Sequence, residues 1–291
     1  MKPLDEILSL DPVADHQRIV FLMACHEFPW DMTRALELAL FRTYGVPSIS
    51  ELLHRTGEFT QRPQKRYDDT DIMVSTLMEQ GYDSPGGQAA LARMNAIHGR
   101  FAIANEDFLY VLSTFVFVPL DWFACFGWRQ PTDHERVALF HFWRQVGMRM
   151  GIRDIPESYS DFHIFHRQYE RANCRPADSN RQVGLATREL FASWFPSPLR
   201  PVVRRAIHAL LDDASRQAFG FPPPSPALAA LVKGALRLRG RLLRVLPGRR
   251  HPRLRAPMPR PSYPRGWSLS DTGPSWIQGK PTPNEKRKPT S

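Results

Sequence analysis

Apolar and polar positions follow a helical pattern along nearly the whole chain. Apolar residues recur every three or four positions, and no segment shows the strict alternation of a half-buried strand. No repeat of fixed period is present either. The pattern predicts helices over residues 15–27, 29–44, 47–55, 69–81, 85–98, 131–150, 158–172, 181–194 and 198–211. We therefore predict an all-α fold in which residues 1–220 form one large helical domain.

Several predicted helices carry recognisable signals at their ends. Pro29 and Pro47 stand where a first helical turn tolerates proline, and Asn105 is a residue type that caps helix starts. Gly81 and Gly99 follow the last periodic residues of two helices, as helix-ending glycines commonly do. These signals support the predicted boundaries.

The most apolar run of the chain covers residues 108–128. Its length approaches that of a membrane-spanning helix. However, Pro119, Asp121 and Gly127 interrupt the run. We interpret it as a buried core helix that breaks at Pro119, where a backbone hydrogen bond is lost.

The chain changes character after Gly220. Residues 221–226 contain four prolines and are predicted to form a stiff linker. Residues 227–246 alternate leucine with arginine and predict a basic amphipathic helix. Residues 247–291 are rich in proline, arginine and serine, which predicts a disordered basic tail.

Positive charge is concentrated at the C-terminal end. The net charge is +10, but 15 of the 39 basic residues lie in 233–291, which holds only 2 of the 29 acidic residues. The rest of the chain is therefore nearly neutral and offers no basic groove for nucleic acid. The basic region predicts contact with an anionic membrane surface through residues 227–265. Equally, the basic helix can pack on the body and expose its arginines.

Three cysteines, Cys25, Cys125 and Cys174, are widely separated. They form neither a disulfide framework nor a zinc-binding pattern, which fits a reducing compartment. No Cys-x-x-Cys-His motif for covalent haem attachment is present. The N-terminus lacks the pattern of a signal peptide. We therefore expect a cytoplasmic protein, peripheral on the inner face of a membrane.

The candidate chemistry lies between residues 66 and 98. Arg66 and Thr70 are four residues apart and share a helix face, and His98 follows at the end of the next predicted helix. One neutral imidazole in apolar surroundings can hold a haem iron from one side. A histidine at a helix end is nonetheless more often structural, and Arg66 has neighbouring carboxylates, Asp69 among them, for a surface ion pair.

Two other histidine patterns in the sequence are candidate metal sites. His163, His166 and Glu170 share one helix face, but a solvated surface is the simpler interpretation. Glu51 and His54 form one half of a di-iron pattern whose second half is missing. No Gly-x-Ser-x-Gly, Walker A or Gly-x-Gly-x-x-Gly motif occurs, so hydrolase and nucleotide-binding classes lack support.

From residue 11 to about 247, the sequence resembles the catalytic-domain family of ER-bound oxygenase mpaB and rubber oxygenase (latex clearing protein). It is most similar to the mpaB branch. An Arg-x-x-x-Thr pair with a histidine about thirty residues later is common to both branches. The resemblance is carried by Leu10-Asp-Pro, His26-Glu-Phe-Pro-Trp-Asp31, Ala39-Leu-Phe-Arg42, Arg66-Tyr-Asp-Asp-Thr70, Met94-Asn-Ala-Ile-His98-Gly, Asn105-Glu-Asp-Phe-Leu-Tyr110, Phe126-Gly-Trp-Arg129 and Met150-Gly-Ile.

The resemblance implies a globin-like helical core around a non-covalent haem b. It implies that His98 is the iron ligand, with Arg66 and Thr70 as catalytic and haem-pocket residues. Members of the family cleave carbon–carbon double bonds of isoprenoids with O2. Asp69 stands where rubber-cleaving members tend to carry a lysine near the haem, so a smaller prenylated, lipophilic substrate is expected here. Lys65 is a further group that could approach the iron.

Two other functions compete with the oxygenase hypothesis. A non-catalytic haem carrier or sensor would use the same His98 without turnover. A cofactor-free, membrane-associated helical protein would explain the basic C-terminal region. That second alternative leaves the Arg66, Thr70 and His98 pattern without a role.

Overall fold

The computed structural model describes residues 2–246, 248–249 and 251–274. This part of the chain is helical and contains no β-strand, which confirms the predicted all-α class. A π-helical turn, Met23–Glu27, follows the second helix. The α-helices are α1 Pro3–Ser9, α2 His16–Leu22, α3 Pro29–Thr43, α4 Pro47–Arg55, α5 Glu58–Gln61, α6 Pro63–Gln80, α7 Pro85–His98, α8 Asn105–Phe126, α9 Asp133–Arg149, α10 Tyr159–Asn173, α11 Asp178–Ser193, α12 Arg200–Leu210, α13 Asp213–Ala218 and α14 Pro226–Val245.

Helix α6 begins earlier than the apolar pattern predicts. Pro63 occupies its first turn, six residues before the predicted start at residue 69. The pattern failed because polar residues such as Asp68 and Asp69 point into the protein and are buried there. Short helices α1, α5 and α13 were also missed, since four to seven residues are too few to show a period.

Helix α8 lies at the centre of the fold and packs against α3, α9, α10 and α14. It is apolar and long enough to cross a membrane by composition alone, but 72% of its most apolar window is buried inside the protein. The predicted break at Pro119 is wrong, because the helix continues to Phe126. Residues 112–120 of the helix are all buried, and this burial outweighs the roughly 3 kcal/mol that one interior proline costs.

Helices α6 and α7 form a tight antiparallel hairpin. Gly81 ends α6 with a positive φ of 78°, and the Ser84 hydroxyl caps α7 by accepting a hydrogen bond from the Gly87 amide. The chain passes so close that a Cβ at Gly87 would lie 1.9 Å from the Gly81 carbonyl oxygen. The two helices are thereby held in contact along their length.

The C-terminal region folds back over the body. Helix α14 docks on α8 and α12. Gly240 lets it approach the end of α8, where a Cβ would meet the Phe126 carbonyl oxygen at 2.7 Å. Arg239 pairs with the buried carboxylate of Asp31 at 2.9 Å. The helix therefore packs on the body, which was one of the two alternatives that its sequence allowed. It still exposes several leucines.

Residues 251–274 differ from the disorder that composition predicts. They make specific hydrogen bonds and ion pairs with α6, beginning with the Arg255–Asp71 pair at 3.0 Å. Acidic residues of α6 supply partners for arginines and backbone amides, and a composition count does not reveal such partners. Residues 275–291, which were also predicted to be disordered, lie outside the described residues.

Candidate active site

An apolar cavity of about 220 Å³ lies between α4, α6, α7, α8 and α9. Its wall is built mainly of aliphatic and aromatic side chains from these helices, including Ile49, Leu52, Met73, Ile97, Phe108, Val111, Leu112, Phe115, Trp143 and Val146. All three residues singled out from the sequence, Arg66, Thr70 and His98, also line it. Such a mostly apolar pocket with a few convergent polar groups is typical of a small-molecule site.

The α6–α7 hairpin explains why these three residues meet. At 1.5 Å of rise per residue, Arg66 lies about 21 Å from the end of α6, and His98 about 20 Å from the start of α7. Because the helices are antiparallel, both residues reach the same level of the hairpin. Thr70 is one turn further along α6 on the same face.

His98 presents an imidazole that is uncharged at neutral pH. Burial, and secondarily the nearby charge of Arg66, lowers its pKa from 6.5 to about 4. The ring packs edge-on against Phe108, with centroids 5.4 Å apart. Its Nδ1 atom is buried and has no hydrogen-bond partner among the residues that the structure describes. A neutral, unpartnered ring nitrogen is the form of histidine that binds a metal ion.

Arg66 is the cationic group of this cavity. Its guanidinium donates a hydrogen bond to the Thr70 hydroxyl and lies 5.5 Å from the centre of the Phe59 ring. Among the described residues it forms no ion pair, which removes the surface-pair alternative with Asp69 and its neighbours. A fixed cationic fork is therefore free to bind an anionic group in the cavity.

The carboxylates around the cavity are engaged elsewhere. Glu58 pairs with Arg62 at 2.6 Å, and Asp107 accepts hydrogen bonds from the hydroxyl groups of Ser48 and Tyr169. Asp69 has partners of its own, described next. None of these three carboxylates thus competes with an incoming anion for Arg66.

Lys65 is bound by two groups at the edge of the cavity and is not among the residues that line it. Its ammonium group lies 2.7 Å from the Asp69 carboxylate and donates a hydrogen bond of 2.8 Å to the Gly273 carbonyl. Asp69, which stands where rubber-cleaving members tend to carry a lysine, is thus the ion-pair partner of Lys65.

The other histidine patterns do not form metal sites. His166 is buried, not solvated as its pattern suggested, and shares a 2.8 Å hydrogen bond with Ser113. Glu170 is also buried and binds Arg42 through both carboxylate oxygens. Within the described part of the chain, no three His, Cys, Asp or Glu side chains gather as a metal-binding group.

Sequence reasoning missed several parts of the site. Trp143, which the sequence pattern did not single out, lines the cavity, whereas Trp128 donates a hydrogen bond to the Glu27 carbonyl elsewhere. Gly273 and Pro274 also line the cavity, although they lie about 200 residues from Thr70 in the chain. No local pattern could have placed them there.

Comparison with known proteins identifies the family to which this chain is similar. A family model described as "ER-bound oxygenase mpaB/B'/Rubber oxygenase, catalytic domain" matches residues 32–245. The chain is 30% identical over 243 residues to ER-bound oxygenase mpaB' of Penicillium brevicompactum, covering 77% of this chain and 57% of that protein. It is 30% identical over 211 residues to ER-bound oxygenase mpaB of Penicillium roqueforti, covering 66% of this chain and 70% of that protein.

The chain thus spans little more than half the length of the first of these relatives. The family match includes α6, α7 and α8, which carry the cavity, and extends to the end of α14. On the strength of that match, the chain belongs to the ER-bound oxygenase mpaB and rubber oxygenase catalytic-domain family.

Proposed function

We propose that this protein is a haem b-dependent oxygenase that cleaves a carbon–carbon double bond of a lipophilic isoprenoid or prenylated molecule. The observation that carries the proposal is the meeting of His98, Arg66 and Thr70 in one apolar cavity. Family membership supports the oxygenase class. The relatives' printed names speak of oxygenases and of no particular substrate.

The residues of the cavity suit a non-covalent haem. His98 would supply the single protein ligand, because its imidazole is neutral and no described residue hydrogen-bonds to its Nδ1. Arg66 would pair with a propionate, since no carboxylate in the described part of the chain forms an ion pair with it. Haem, when bound, supplies an iron that activates O2, which the protein side chains cannot do. The globin-like arrangement implied by the resemblance stays a prediction.

The protein's own part in the reaction is to bind and orient. Apolar side chains of α7 and α8, such as Ile97 and Val111, would hold an alkene chain and exclude water. Thr70 positions the Arg66 guanidinium by accepting its hydrogen bond, and the Thr70 hydroxyl in turn donates to the Arg66 carbonyl at 3.1 Å. The arginine fork is thereby oriented before any ligand enters.

The direct test is oxygen consumption by haem-loaded protein with a farnesylated aromatic compound. We expect O2 uptake matched by aldehyde or ketone products of chain cleavage, detected by mass spectrometry. The saturated analogue should give neither, because it lacks the double bond. Bound haem without uptake on any isoprenoid would favour the carrier or sensor alternative. Protein that stays colourless after haem addition would favour the cofactor-free alternative.

We also propose a peripheral membrane contact, through α14. Leu231, Leu238 and Leu242 of α14 are 67%, 56% and 55% exposed, with arginines beside them. An exposed apolar stripe flanked by cations is typical of an interfacial helix. The membrane contact that the sequence predicts for residues 227–265 is here limited to α14, because Arg255 and Arg260 are already paired with Asp71.

Flotation with anionic liposomes tests this contact. A triple variant, Leu231→Gln, Leu238→Gln and Leu242→Gln, should reduce the bound fraction at least about tenfold, because each buried leucine is worth about 1.5–3 kcal/mol. Leu8→Gln, a change at a leucine that is 48% exposed on α1, is the matched control and should bind normally. Equal recovery of all three proteins would exclude α14 as the contact.

A further inference from the structure

The segment that follows α14 reaches the candidate active site. Residues 253–274, here called the strap, run along α6 and end with Gly273 and Pro274 in the cavity wall. Thr272 is fully buried, and Gly273 and Pro274 are buried as well. The strap lies beyond the family match, which stops at residue 245. The strap thus contributes directly to the cavity from outside the residues that the family model matches.

Acidic residues of α6 hold the first half of the strap. Arg255 binds both oxygens of Asp71 at 3.0 Å, and Arg260 lies 2.6 Å from the same carboxylate. Glu79 accepts hydrogen bonds from the amides of Arg255 and Ala256. Charge-assisted contacts of this kind are directional and fix the segment in one position.

The second half is anchored beside Thr70. Asp69 accepts hydrogen bonds from the Tyr263 hydroxyl and from the Gly273 amide, the latter at 2.9 Å. Lys65 donates to the Gly273 carbonyl from the other side. Arg93 of α7 donates to the Thr272 carbonyl. The end of the strap is thus tied to both helices of the hairpin that carries the site.

Polar contacts dominate over apolar burial in the strap. Leu254 and Met258 are 39% and 37% exposed, whereas Trp267 is half-buried, Leu269 packs against the main core and Ala256 is buried. A segment held mainly by hydrogen bonds and ion pairs, with few large apolar side chains buried, opens at lower cost than one held by a hydrophobic core. Opening of the strap is therefore expected to cost less than unfolding of the helices.

We propose that the strap is a gate: it closes the cavity next to Thr70 and must detach from Asp69 and Asp71 for a large apolar ligand to enter. In this proposal Asp69, the residue next to Thr70, holds the gate closed through its contacts with Lys65 and Tyr263. The proposal concerns access to the cavity and holds for any apolar ligand, whether or not haem is bound.

The test measures entry of Nile red, a neutral dye, into haem-free full-length protein by stopped-flow fluorescence. The variants are Arg255→Gln with Arg260→Gln, which frees Asp71, and Tyr263→Phe, which removes a single hydroxyl from Asp69. Arg216→Gln is the control, because Arg216 also forms an ion pair with an aspartate but lies on α13. Val111→Phe, which adds bulk inside the cavity, identifies the part of the signal that arises there.

We expect association about tenfold faster in the double variant and severalfold faster in Tyr263→Phe, with the control within about twofold of wild type. Hydrogen exchange of strap amides, including Gly273, should quicken in the same order. Wild-type association rates despite faster strap exchange would overturn the gate. Unchanged strap exchange in both variants would overturn the anchoring by Asp69 and Asp71. Neither measurement depends on O2 chemistry. Failure of the gate proposal can therefore be distinguished from failure of the oxygenase proposal.

Discussion

His98→Ala is expected to abolish haem binding. Haem-loaded wild-type protein should show a strong Soret band, and the variant should show none beyond that of free haem. The reason is that His98 is the histidine lining the cavity, and its buried Nδ1 has no other partner. Removing it leaves the described cavity without a nitrogen ligand for iron.

The matched control is His163→Ala, because His163 is an exposed histidine on α10. That variant should keep the full Soret band. Added imidazole should restore a band in His98→Ala, since the space of the missing ring can accept the free ligand. A full band in His98→Ala without imidazole would contradict the assignment of His98 and with it the haem site proposed here.

Glu170→Ala is expected to cost about 3 kcal/mol or more of unfolding free energy. Glu170 binds the guanidinium of Arg42 through both oxygens and accepts a 3.1 Å hydrogen bond from the fully buried Tyr110 hydroxyl. The substitution leaves Tyr110 unpaired and leaves Arg42 with the half-exposed Asp212. Breaking a buried pair on one side typically costs 3–5 kcal/mol.

Urea denaturation followed by circular dichroism measures this effect. Asp133→Ala is the control, because the Asp133–Arg136 pair is on the surface and the Asp133 side chain is 89% exposed. The Asp133→Ala substitution should lower the free energy of unfolding by no more than about 1 kcal/mol. A similar loss in both variants would mean that the Arg42–Glu170 pair does not hold α3 against α10.

Much of the helical framework could be predicted from the sequence. The starts at Pro29 and Pro47 and the ends at Gly81 and Gly99 were right, because proline and glycine act locally on the backbone. The predicted start of α6 and the predicted break of α8 at Pro119 were wrong. Both depend on burial by distant helices, which overrides local preference.

The candidate residues were also predictable, but their meeting was not. Their spacing placed Arg66 and Thr70 on one helix face, but no local pattern placed His98 beside them. Gly81 and Gly87 close the hairpin that brings His98 to the same level. The low pKa of His98 likewise follows from burial, which no neighbouring residue in the sequence reveals.

The sequence by itself therefore determined the all-α class and most helix boundaries, and it singled out three candidate polar residues. These depend on backbone chemistry and on periodicity within a single segment. Only the tertiary structure decided the shape of the cavity, the partners of Asp69 and the position of the strap. Those features join residues up to about 200 positions apart, and contacts at that distance are set by packing and charge pairing across the whole fold.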